Sequence, residues 1–297
     1  MGKDTPGASS IGSTFREYRV KEKLGVGARS TVYKIQHPDT GKLYALKHVS
    51  KVLPEDERYL RHLTNEYENI CKIQNGPGEK DAHPNIVCVY DLFKERKLLR
   101  VTGLSMLLEY VPGKNLGQRS DLPMKRLIDV LIQTCKALQR MHEMGYLHCD
   151  LKPDNIIVMH NGWAKVIDFG FSCKTNTELG NLKGTRDFIA PEQVSGGVVT
   201  EQTDMYNLGA TFYKVFTGQA VPAVMPSMRS ESAIFLSGDT IRATPPAELN
   251  PQVPVWLSDI IMQCIEKKPR HRPARITDVL NAVETEKLRM ELGNTDQ

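Results

Sequence analysis

YLHCDLKPDN, residues 146–155, fits neither the alternation of a strand nor the three-to-four spacing of a helix. It places two aspartates, a lysine, a histidine and an asparagine in one turn-prone segment with a proline. Such a segment is either an ordinary surface loop or a site, and its flanks decide which. Its odd member is Cys149, an uncharged thiol between His148 and Asp150.

Downstream, WAKVIDFG (163–170) ends a strand-like run on Asp168, followed by Phe169 and Gly170. Asn155 and Asp168 are two oxygen ligands of the kind that suits Mg²⁺, which keeps several waters and prefers phosphate oxygens. Asp150 has no need to bind metal and is suited to accept a proton from a hydroxyl. GTRDFIAPE (184–192) follows at a distance that one loop can cover.

Upstream, LGVGARSTV (24–32) places Gly25 and Gly27 between two strand-like runs, with Ser30 where a third glycine would stand. Glycines let a backbone approach a phosphate and offer its N–H groups, but a plain hairpin reads the same way. Lys47 lies inside YALKHV (44–49), where a lysine is commonly the solvent-facing member of the alternation. Its functional reading needs a carboxylate, and Glu66 on the next helical stretch supplies one. Taken singly each fragment is ordinary; it is their order along the chain that carries meaning.

The ordered set resembles the protein kinase signature, from about Tyr18 to about Leu288. The resemblance implies an α+β, bilobal protein kinase fold, with a small β-rich lobe carrying one regulatory helix and a larger, mainly helical lobe. It implies ATP and Mg²⁺ as cofactors and Leu24, Gly25, Gly27, Ser30, Val32, Ala45, Lys47, Leu108, Glu109, Val111 and Ile157 as the ATP-binding set. Within that set Lys47 holds the α- and β-phosphates and is held by Glu66. Glu109 and Val111 offer backbone groups to adenine, Val32 and Ala45 roof it and Ile157 is its floor. Asp150 is the base or hydroxyl-orienting group, Lys152 steadies the phosphoryl group, and Asn155 and Asp168 hold Mg²⁺. Asp204 braces the catalytic loop, and Glu192 pairs with Arg272. Lys152 and Thr185 mark the serine/threonine class, so the expected partner is a protein presenting those hydroxyls. The style of TDMYNLGATFYKVFTG (203–218) and PDNIIV (153–158) is similar to bacterial kinases of eukaryotic type. The alternatives are an ATP-binding pseudokinase or scaffold and a small-molecule phosphotransferase. The first is opposed by the presence of Lys47, Asp150, Asn155 and Asp168 together, the second by the GT…APE segment.

Cys149 departs from the pattern. Family members switched by a phosphate on the activation loop commonly carry arginine there, because a guanidinium clamps the added group. A thiol cannot, so activity is expected not to require a phosphate on Phe171–Ile189, although Ser172, Thr175 and Thr177 lie within it. Cys149 or Cys173 as a redox handle stands against the reading of an inert buried thiol.

The rest of the chain fits a protein of this kind. Its 297 residues suffice for one large domain or two modest lobes. The net charge of +4 is too mild to argue for nucleic acid or a membrane surface. Six cysteines without CxxC spacing, no signal peptide and no bilayer-length apolar run point to a reducing cytoplasm. Pro6 stands where a myristoylation signal wants Ser or Thr. The expected divisions are a disordered leader over 1–14, a small lobe over 15–110, a large lobe over 111–292 and a disordered tail over 293–297. The chain is a free-standing kinase or a domain of something longer, and its residues indicate no oligomeric state. Helices are expected from Pro54 through Leu60, Leu63, Tyr67 and Ile70, and over a stretch carrying Leu127, Leu131, Cys135, Leu138 and Met141 that Gly145 stops. Later helices are expected over Asp204–Thr217, Pro254–Glu266 and Ile276–Leu292.

Overall fold

The alternation of apolar and polar residues between Thr14 and Glu109 becomes one six-stranded antiparallel sheet. The structure, a computed structural model, describes residues 12–27, 29–97, 100–180, 184–222 and 242–293. Residues 1–11 of the expected leader and 294–297 of the expected tail lie outside the described residues. The chain divides into two units, residues 1–112 with 168–170, and residues 113–167 with 171–297.

In the first unit the strands are β1 (Thr14–Phe15), β2 (Tyr18–Val26), β3 (Ser30–Gln36), β4 (Leu43–Ser50), β5 (Val89–Lys97) and β6 (Arg100–Glu109), in the order β1-β2-β3-β4-β6-β5. Period-two alternation sends Tyr33, Ile35, Leu46 and Leu107 to one side, where they bury with Phe15, Tyr18, Val20 and Phe93. Gly12 and Ser13 hydrogen-bond with Val20, and Thr14 pairs with Arg19. Residues 12–14 of the expected leader thus pair with β2, next to the buried Phe15. Pro54–Asp56 forms one 3-10 turn, and helix α1 follows at Glu57–Ile73. Its buried stripe is Leu60, Leu63, Glu66, Ile70 and Ile73, whereas Tyr67 is only half-buried. The carboxylate of Glu66 therefore occupies the core-facing position that periodicity assigns to an aromatic ring.

The second unit begins with β7 (Gly113–Asn115) and the long helix α2 (Met124–Glu143), then β8 (Tyr146–Leu147), β9 (Ile156–Met159) and β10 (Ala164–Val166). Short elements follow: β11 (Cys173–Lys174), β12 (Thr177–Glu178), α3 (Pro191–Val194) and β13 (Val198–Val199). Helices α4 (Glu201–Thr217), α5 (Pro246–Leu249), α6 (Val255–Cys264) and α7 (Ile276–Gly293) complete it. β9 lies between β10 and β7, while β11 pairs with β8 and β12 with β13. Gly145 ends α2 at φ +74, a left-handed conformation that costs glycine nothing.

Helix α4 starts three residues before the expected Asp204, and every residue from Thr203 to Tyr213 is buried. A helix buried all round belongs to the middle of its unit. It ends on Gly218 at φ +74, whose N–H donates to the Lys214 carbonyl. A Cβ on Gly209 would lie 2.6 Å from Cys264 Cβ and 2.8 Å from Ile265 Cγ2, so the missing side chain is what allows α6 to approach α4. Glu192 and Arg272 form a bidentate pair, Nη1 to Oε1 at 2.7 Å and Nη2 to Oε2 at 3.0 Å. The same guanidinium donates to the carbonyls of Glu266, Gln202 and Lys267. No helix among the described residues is long and apolar enough to cross a membrane.

Two stability outcomes are expected. Gly209→Ala should lower stability by about 1–3 kcal/mol through overpacking against α6, although alanine normally favours a helix by about 1 kcal/mol. Arg272→Ala should cost about 3–5 kcal/mol, because it leaves Glu192 without its countercharge. Urea unfolding of each variant against the parent checks both.

Candidate active site

Lys47 sits in β4 between Val32 of β3 and Met106 of β6. Alternation turns it away from the Leu46 side, and the α1 stripe brings Glu66 to meet it. Lys47 Nζ lies 2.8 Å from both Glu66 oxygens and 3.1 Å from Asp168 Oδ1. The Glu66 side chain is 3% exposed and that of Asp168 44%. Burial alone would push the lysine pKa down; the charges of Glu66 and Asp168 outweigh this and hold it above its ordinary value. Burial pushes the Glu66 carboxyl up while Lys47 pulls it down. The symmetric contact to both oxygens, with the lysine firmly protonated, makes this an ion pair. Asp168 takes a left-handed φ of +62.

The register puts Gly25, Val32, Ala45, Lys47, Leu108 and Met106 on one face of the sheet. Leu24 falls at the β-bulge between Lys23 and Gly25 and is exposed. A Cβ on Gly25 would meet nothing within 4 Å. Gly27 donates its N–H to the Ser30 carbonyl at 2.7 Å, closing the hairpin. Ser30 is the first residue of β3, opposite Val49, so the third glycine position is paired strand rather than loop. The N–H of Glu109 is committed to the Cys88 carbonyl, and its carboxylate accepts the Cys88 N–H. Val111 is buried one residue past Tyr110.

In the second unit the YLHCDLKPDN stretch runs from β8 into β9. Asp150 is buried, its Oδ1 accepting from the Thr185 hydroxyl at 2.8 Å and its Oδ2 lying 3.0 Å from Lys152 Nζ. Lys152 donates to the same hydroxyl at 2.8 Å. Thr185 is therefore both donor and acceptor, which fixes the direction of its O–H. Asn155 Nδ2 donates to the Asp150 backbone carbonyl at 2.9 Å, and the Asn155 backbone carbonyl accepts the Ile167 N–H. Ile157 is half-buried in β9, opposite Lys165 and Asn115.

Beneath the loop, Asp204 accepts the backbone N–H groups of His148 and Cys149, both at 2.9 Å, and lies 2.9 Å from His142 Nε2. Burial pushes the Asp204 carboxyl up, but His142, His148 and the Cys149 N–H together hold it below the usual value. Gln193 donates to the Cys149 carbonyl at 2.8 Å, and Thr211 to that of Leu151 at 3.1 Å. Met106, His142, Gln193 and Thr211 carry no motif of their own, and only strand register or helix packing brings them to these positions.

A model of the protein kinase domain matches residues 18–283. A probable serine/threonine-protein kinase of Clostridium acetobutylicum is 30% identical over 272 residues, covering 89% of this chain and 39% of that protein. Pkn1 of Myxococcus xanthus is 30% identical over 92% of this chain and 39% of its own length, and PrkC of Bacillus subtilis 27% over 90% and 40%. The chain thus spans about two fifths of the curated relatives it matches. The kinase domain of Mycobacterium tuberculosis PknI shares its fold, with a TM-score of 0.68 at 22% identity, over 94% of this chain and 99% of that one. Both the match over nearly the whole chain and the α+β architecture show that the chain belongs to the protein kinase domain family.

Proposed function

We propose that this chain is a protein serine/threonine kinase that transfers the γ-phosphoryl group of ATP to protein hydroxyls with Mg²⁺. The observation that carries the reading is the cluster of Asp150, Lys152 and Thr185 around one shared hydroxyl. A buried carboxylate beside an ammonium group suits a hydroxyl substrate, which it orients and relieves of its proton. Lys152 is placed to oppose the negative charge of a phosphoryl group. The names of the bacterial relatives support the same substrate class. The six cysteines are all free thiols, in keeping with a cytoplasmic setting.

The residues present fit the nucleotide and the metal. Gly25 leaves open space where a side chain would stand, and Lys47 offers a fully protonated amine held from behind by Glu66. In this reading Leu24, Gly25, Gly27, Val32, Ala45, Leu108, Glu109, Val111 and Ile157 contact ATP. Ser30 holds the third position of the phosphate loop in this reading, its place in β3 fixed by pairing with Val49. Asn155 uses its amide nitrogen on Asp150, which turns its oxygen to the role of ligand, and Asp168 supplies the carboxylate. Mg²⁺ would neutralise charge on the phosphate oxygens.

Independence from activation-loop phosphorylation belongs to the proposal. Cys149 is packed in an apolar cluster with Leu147, Leu179 and Val199. The following segment is already tied down twice, by β11 to β8 and by β12 to β13. The Thr177 hydroxyl donates to the Lys174 carbonyl.

With γ-labelled ATP, Mg²⁺ and a generic protein substrate, label is expected on serine and threonine. Asp150→Asn, Asp168→Ala and Lys47→Met should each reduce transfer at least ~10²-fold, and label equal to the parent's would refute the assignment. The triple variant Ser172→Ala, Thr175→Ala, Thr177→Ala should keep activity within about threefold of the parent. Abolished activity in a folded triple variant would show that the loop needs its phosphate.

A further inference from the structure

Cys149 and Cys173 lie with their sulfurs 3.7 Å apart. Cys173 pairs with Leu147 across β8 and β11, which makes Cys149 the next same-side neighbour along the strand direction. At Cys149 the chain leaves the extended path through a left-handed φ of +62. Both sulfurs adjoin the apolar side chains of Leu147, Leu179 and Val199. Cys149 is buried and Cys173 half-buried, so one thiol is within reach of a small solute and the other waits behind it. Burial pushes the Cys71, Cys135 and Cys264 thiols up, that of Cys264 to about 12, which keeps them protonated and unreactive.

We propose that Cys149 and Cys173 form a reversible disulfide when the protein meets hydrogen peroxide. The thiolate of Cys173 attacks one peroxide oxygen and the O–O bond breaks, giving a sulfenic acid and releasing water. The sulfur of Cys149 then displaces the hydroxyl from Cys173, forming the S–S bond and releasing a second water. Two electrons pass from the two sulfurs to one peroxide, and the thiol protons leave in the water. Closing the gap from 3.7 Å to about 2 Å requires side-chain rotation, chiefly at Cys173. The backbone of Cys149 is pinned on both sides, its N–H on Asp204 and its carbonyl under Gln193. Cys173 belongs to a strand of only two residues.

The bond would staple the start of the segment after Gly170 to the loop that carries Asp150. In the kinase reading, on which this last point alone rests, the staple would stand where the resemblance implies an arginine and a phosphate in members switched by loop phosphorylation. A covalent, redox-dependent tie would replace an ionic, phosphorylation-dependent one.

The test is chemical and uses no measure of turnover, so it stands apart from the phosphotransfer reading. The folded full chain is treated with hydrogen peroxide, quenched with an alkylating reagent, then denatured and mapped by peptide mass. The expected result is a linked peptide pair containing Cys149 and Cys173, with two of the six thiols lost and restored by dithiothreitol. Cys173→Ser should abolish the link and leave every remaining thiol open to alkylation after denaturation. Cys149→Ala should divert Cys173 to sulfinic acid; should that variant fail to fold, the half-buried Cys173→Ser decides alone. Oxidation of Cys173 with Cys149 still alkylated, no loss of thiols, or a link that forms only in unfolded chain would each overturn the proposal.

Discussion

Two successive backbone N–H groups, those of His148 and Cys149, turn inward to one buried carboxylate, Asp204, and the geometry of the second unit follows from that contact. A buried charge without partners is costly enough that it would sooner take up a proton. Asp204 avoids this because His142 and the loop backbone compensate its burial, holding its pKa below the ordinary 3.8. Its contribution to stability is thus present above that value and is lost only as pH falls through the lower, folded-state pKa. With His148 and Cys149 fixed, the next residue, Asp150, has little freedom left. Gln193 and Thr211 hold the carbonyls of Cys149 and Leu151 on either side of it.

The same rule governs the other buried charges. Lys47 is matched by Glu66 and Asp168, Asp150 by Lys152, and Glu192 by Arg272. Asp150 and Lys152 are neighbours in one loop, but the other two sets join residues distant in sequence and form only when the surrounding elements are in place. Their exposure differs: the Asp168 side chain is nearly half exposed, whereas that of Arg272 is wholly enclosed.

The segment after Gly170 shows how one substitution in a motif changes the physics around it. An arginine at position 149 would bring a charge requiring a partner. Cys149 brings an apolar surface instead, and Leu147, Leu179 and Val199 close over it. In the proposed reading, the two short strand pairings hold by hydrogen bonding what a phosphate and a guanidinium would hold by charge.

Much of this protein was legible in its residues before any coordinates. The alternation through YALKHV, the helical spacing of Leu60, Leu63 and Ile70, and the glycine after α2 are local patterns, and local patterns declare local structure. The roles expected of Asp150, Lys152, Asn155 and Asp168 came instead from the resemblance that their order along the chain carries, since each fragment singly fits an ordinary loop. Element ends were less legible: α4 begins at Glu201 because Thr200 lies extended and Thr203 turns its hydroxyl back to the Thr200 N–H, a detail of side-chain rotation. What only the tertiary structure decided are the meetings between distant segments. Thr185 spanning Asp150 and Lys152, Gln193 beneath Cys149, the gap at Gly209 that admits α6, and two sulfurs 3.7 Å apart are examples. No spacing encodes these contacts, since they arise from how whole faces pack, and packing is a property of the assembled chain.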